Sequence, residues 1–172
     1  MNKGRRFFFH HRGIAAPVLL LALVFNTPAM DADETEDKKE QAKVELLFAF
    51  KIQPLLSSRC LACHGKDVTD LQGDLDLRTA TGLLKGGESG ESSVTAGKPL
   101  ESPLYLAVSR EHDDWSAMPP KESDRLSDED VAYIRDWIEG GAPWPDENRL
   151  ATLRSQLDPW SKAGGVTVRT SG

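Results

Sequence analysis

The sequence predicts an all-α fold. Apolar residues recur at helical spacing in two strong segments, 44–56 and 131–138, and no stretch alternates apolar and polar residues as a strand does. The two cysteines of the 172-residue chain, Cys60 and Cys63, are three apart, so no disulfide framework can stand in for helix packing.

Residues 1–29 read as an export signal. Lys3, Arg5, Arg6 and Arg12 precede an apolar run over 14–25, and Thr27-Pro28-Ala29 offers small residues for cleavage. The run is short for a bilayer span and a charged stretch follows it at once. The expectation is cleavage near Ala29 and a periplasmic or otherwise extracytoplasmic protein with no stable membrane insertion afterwards. A retained N-terminal anchor is the alternative. Residues 30–43, rich in Asp, Glu and Lys, read as an acidic linker or frayed helical lead-in.

The domain proper is expected over 44–146. Val44, Leu47, Phe48, Ile52, Leu55 and Leu56 form one buried helical stripe, which Pro54 is expected to end or kink before Cys60. Leu75, Leu77, Leu83 and Leu84 surround a short helix stopped by Gly86-Gly87, and residues 88–99 read as loop. Ser102-Pro103 has the pattern of an N-cap followed by proline at the first helical position, leading into Leu104, Tyr105, Leu106 and Val108. Ser127 and Asp130 resemble a capping box before Val131, Ile134, Trp137 and Ile138, and Gly140-Gly141 with Pro143 closes that helix. The tail, 147–172, carries Leu150, Leu153, Leu157 and Trp160 in a short helix and ends in a run expected to be disordered.

Charge narrows the partners. Of 21 Lys and Arg, four precede Ala29, whereas all 27 Asp and Glu follow it, so the mature chain carries a net charge of −10. An acidic surface argues against nucleic acid and anionic membranes, and suits solubility or a redox partner protein with a basic surface.

The chemistry concentrates in Cys60-Leu61-Ala62-Cys63-His64. Two cysteines three apart with a histidine next door is the arrangement that fastens a c-type haem. Residues i and i+3 share a helix face, so both thiols can meet the vinyl groups of one porphyrin while His64 meets the iron. The opposite axial position has few candidates: Met118, His112 and, in the linker, Met30. Met118 is favoured, because Pro119 and Pro120 stiffen its loop and a thioether favours the ferrous state. His112 beside Asp113 and Asp114 is the rival. Arg59, Arg78 and Arg110 are candidates for the haem propionates or simply solvated charges.

Two other chemistries share these residues. An exported thiol-disulfide oxidoreductase would use the Cys-x-x-Cys pair but needs a thioredoxin-like strand before it. A zinc site from Cys60, Cys63 and His112 would need the adjacent His64 as its fourth donor. A haem-bearing sensing or interaction module, with Met118 dissociated, is a further alternative. No nucleophile motif or phosphate loop appears, Gly86-Gly87-Glu88-Ser89-Gly90 lacking the Lys-Ser/Thr ending, so no catalytic residue is assigned and no enzyme activity is expected.

The segment from about 48 to 145 resembles the planctomycete-type cytochrome c domain, a branch of the class I cytochrome c superfamily. The resemblance rests on Ile52-Gln53-Pro54-Leu55-Leu56, Cys60-Leu61-Ala62-Cys63-His64-Gly65, Leu84-Lys85-Gly86-Gly87-Glu88-Ser89-Gly90, Gly97-Lys98-Pro99, Met118-Pro119-Pro120 and Trp137-Ile138-Glu139-Gly140-Gly141-Ala142-Pro143-Trp144-Pro145, in that order. It implies a small cytochrome c-like helical domain with long loops around one haem c per chain. Cys60 and Cys63 would carry the thioethers, and His64 and Met118 would ligate the iron for one-electron transfer. Domains of this kind usually open longer exported proteins, so the resemblance leaves open a free-standing carrier or a truncated product.

Overall fold

The structure, a computed structural model, describes residues 32–157. The export signal, Met30, Trp160 and the end of the tail lie outside the described residues. Seven α-helices with short 3-10 turns and loops make up the described part, which contains no strand.

Its spine is a nearly unbroken helical run. Helix α1 (Ala32–Leu47) passes through a π-helical turn (Phe48–Ile52) into α2 (Gln53–Leu55), a second π-turn (Leu56–Cys60) and α3 (Leu61–His64). The acidic stretch expected as linker or lead-in is therefore helical.

Pro54, expected to end or kink the helix, does not end it, and the helix departs from regular α geometry on both sides of it. It falls in the first turn of α2, just after a wide turn in which the Gln53 amide bonds the Phe48 carbonyl, so its missing N–H interrupts no regular ladder. By length and composition Thr35–His64 is able to cross a membrane. Its apolar side Phe48, Ile52, Leu55 and Leu56 is instead buried in the protein core.

Helix α4 (Ala80–Lys85) starts at Thr79, whose hydroxyl accepts from the Gly82 amide at 3.0 Å, and stops at Gly86 in a left-handed conformation. Helix α5 (Pro103–Ser109) does begin with proline, but Ser102 is not its side-chain cap. Fully buried, Ser102 accepts from the Thr95 amide at 2.9 Å and donates to the Lys98 carbonyl at 2.8 Å, so it ties the preceding loop together. Helix α6 (Asp128–Glu139) is capped by Ser127, which accepts from the Asp130 amide at 3.1 Å, and buries Ile134, Trp137 and Ile138.

One core joins these elements. Phe48 stacks against Trp137 and Trp144 at centroid separations of 5.8 and 4.8 Å, and the Trp137 indole donates to the Pro143 carbonyl at 2.9 Å. Where α6 ends on α1, Gly140 has no room for a side chain: a Cβ would sit 2.4 Å from Val44 Cγ2. Helix α7 (Glu147–Leu157) adds Leu150 and Leu153 to the core, and Arg149 binds Glu45 of α1 through Nε at 2.8 Å and Nη2 at 2.6 Å.

Candidate functional site

Cys60 closes the second π-turn and α3 follows at once, so Cys60, Cys63 and His64 occupy a single turn at the end of the spine. Both thiols are free. Cys60 is half-buried and packs on the core, whereas Cys63 is exposed. Burial, and secondarily the neighbouring Cys63, pushes the Cys60 thiol up to about 11. An attacking thiol in disulfide exchange needs the opposite, a thiolate favoured by its surroundings.

His64 is held by backbone. Its Nδ1 lies 3.0 Å from the Gln72 carbonyl oxygen; a carbonyl only accepts, so Nδ1 carries the hydrogen and Nε2 keeps its lone pair. Metal-ligating histidines commonly have this outer partner, which fixes tautomer and ring orientation. The His64 carbonyl in turn accepts from the Leu77 amide at 2.9 Å. The receiving loop is braced from behind, because the Glu88 amide donates to the Gly73 carbonyl at 2.9 Å and a Cβ on Gly87 would stand 2.1 Å from that oxygen.

Gly65, buried at the end of α3, is covered by Arg78 and Leu61, each of which places a carbon 2.8 Å from where a Cβ would be. Arg78 forks onto Asp76 through Nε at 2.9 Å and Nη2 at 2.7 Å, and these side-chain hydrogen bonds hold the Asp76 carboxyl below the usual carboxylate range. Two open clefts flank the turn. One, about 480 Å³, is lined by Cys63, Asp67 and Gln72; the other, about 320 Å³, by Leu61, Leu77, Arg78 and Trp144.

Met118 lines neither cleft. It belongs to a separate loop after α5, partly buried on the same core as Cys60, with its amide donating to the Ala107 carbonyl at 2.9 Å and a cis bond to Pro119. His112 is exposed, and its Nδ1 accepts from the Asp114 amide at 3.2 Å. Arg110 directs its guanidinium to the loop that follows Met118 rather than to the turn of Cys60. Among the described residues no group of three or more His, Cys, Asp or Glu side chains is placed to hold a metal ion, which leaves the zinc reading without a donor set.

The sequence offers the thiols and the imidazole as candidates, and the structure places all three on one turn. Sequence reasoning missed the Gln72 carbonyl, since a backbone acceptor leaves no residue signature, and the bracing role of Gly87, which reads in the sequence only as half of the pair that stops a helix.

The residues fit a covalently bound porphyrin: two free thiols within one turn, and an imidazole whose outer nitrogen is already engaged. A helical fold carrying this site is compatible with a cytochrome c-like domain. Residues 60–122 match the family model described as Planctomycete cytochrome C, which supports a planctomycete-type cytochrome c domain over that part of the chain. The match runs from the first cysteine past Met118; the family implies haem c binding and an electron carrier rather than an enzyme. No curated protein and no solved structure matches the chain.

Proposed function

We propose that this protein is an exported one-electron carrier with a single haem c, bound through Cys60 and Cys63 and ligated by His64 and Met118. When bound, the haem supplies an iron that alternates between ferric and ferrous states. The chain's part is to fasten, orient and shield it. Cys60 and Cys63 hold its edge, His64 presents Nε2, and Met118 offers a soft sulfur whose preference for ferrous iron raises the reduction potential. The observation that carries this reading is the Nδ1 donation of His64 to the Gln72 carbonyl, immediately after two free thiols on the same turn. The acidic mature chain suits a donor or acceptor protein with a basic docking surface.

The test is the mature protein produced in a host that attaches haem c. Intact mass should show one covalent haem, and the visible spectrum a low-spin, six-coordinate iron with a thioether-to-iron band. Met118→Ala should abolish that band and lower the potential. Colourless protein would sink the proposal, five-coordinate iron in the wild type would favour a sensing role, and an unchanged Met118→Ala spectrum would remove Met118 from the ligand set.

A further inference from the structure

We propose that Arg110 is a positioning residue that holds the Met118 loop closed and so keeps the thioether on the iron. The inference rests on the reading of Met118 as distal ligand. Helix α5 ends at Ser109, and Arg110 follows in the left-handed region with φ 62°, which is unfavourable for a residue with a Cβ. From there its guanidinium spans the segment after Met118. Nη2 donates to the Pro119 carbonyl at 2.5 Å and to the Lys121 carbonyl at 3.2 Å, while Nη1 donates to Glu122 Oε2 at 2.5 Å.

The geometry singles out the loop as the beneficiary. Met118 is pinned on both sides: its own amide to Ala107 of α5, and the next residue's carbonyl to Arg110. The Arg110 side chain is only 14% exposed, although its partner Glu122 is 75% exposed, so the charge is drawn inward to serve two carbonyls in addition to the exposed carboxylate. Its Nε is buried without a partner, an unfavourable arrangement that a residue merely terminating α5 would not require. A planar fork can span two carbonyls and a carboxylate at once; a lysine ammonium cannot reproduce that set.

A thioether that leaves the iron returns readily while its backbone stays in place, and is lost for longer when the loop moves away with it. Holding the loop therefore lowers the fraction of molecules in which the axial position is open to another ligand.

The experiment titrates imidazole into the ferric holoprotein of wild type, Arg110→Gln, Arg110→Lys and Met118→Ala, following the thioether-to-iron band and checking helix content by circular dichroism. Loss of charged hydrogen bonds on the loop should let imidazole displace the sulfur at roughly ten-fold lower concentration in Arg110→Gln. Arg110→Lys should fall between that variant and wild type. A merely structural role would lower stability without changing imidazole affinity.

If Met118→Ala abolishes the band while Arg110→Gln binds imidazole as wild type does, the positioning role is overturned and the ligand assignment stands. If Met118→Ala leaves the band unchanged, both fall. Should Arg110→Gln fail to fold, Glu122→Gln, which removes only the exposed anchor, should still tighten imidazole binding a few-fold, and no change there would equally overturn the proposal.

Discussion

At the scale of single residues, the site depends on groups that freeze neighbouring backbone rather than on reactive side chains. Asp76 is the clearest case. Its fork with Arg78, which covers Gly65, keeps its carboxyl ionised to lower pH than in the unfolded chain. A carboxyl with a depressed folded-state pKa adds stability above its unfolded value, near 4, and that contribution disappears as pH falls through the folded value. Urea midpoints measured from neutral pH downward should therefore fall more steeply in wild type than in Asp76→Asn, with the two converging in acid. Parallel curves would show that the fork adds nothing. The pair is partly solvent-exposed, so the expected difference is small.

At the scale of elements, the loop that receives His64 is shaped by a turn more than ten residues downstream. Gly87→Ala would force a Cβ to within 2.1 Å of the Gly73 carbonyl and 3.1 Å of Leu75 Cβ, and backbone on that side has little freedom to retreat. A loss of about 1–3 kcal/mol is expected by urea denaturation. A shift in the haem spectrum should accompany it, because the Gln72 carbonyl adjoins the displaced residue; wild-type stability and spectrum together would refute the bracing role.

Elements whose ends are set by their own residues were readable in the sequence. Ser127 caps α6 and Gly86 stops α4 because both act within one turn. Pro54 and Ser102 were only partly readable for the opposite reason: the helix does not end at the proline, and Ser102 stands at the N-cap of α5 without using its side chain there. A wide turn beginning at Phe48 absorbs the proline, and Thr95 and Lys98 engage the serine that α5 was expected to use. Local rules do not contain such competing partners. In the site the division is the same: Cys60, Cys63 and His64 are visible as a motif, whereas the carbonyl that orients His64 is supplied by the fold.

At the scale of the whole molecule, stability comes from α6 and α7 packing on the π-turn Phe48–Ile52, with α6 also against α1 and Phe48 against Trp137. Gly140 is where α6 and α1 approach most tightly, with Val44 buried and β-branched opposite it. The backbone of Gly140 is in an ordinary region, so sterics alone decide the outcome. Gly140→Ala should destabilise by about 1–3 kcal/mol, and pairing it with Val44→Ala should recover part of the loss. An additive double mutant in chemical denaturation would mean the two side chains do not compete for space. The acidic charge of the mature chain suits solubility as well as the proposed partner; association with a basic partner should slow with added salt.

The two widened turns between Phe48 and Cys60 make that segment unequal in its response to changes of length. In a regular helix each residue advances the facing direction by about 100°. Inserting one residue there, with both turns already wide, would swing both sulfurs by about that angle around the axis, whereas excising one can be absorbed by narrowing a wide turn to a regular one. Substitutions in this stretch are tolerable wherever side-chain size permits, and an added residue is the change that turns the thiols away.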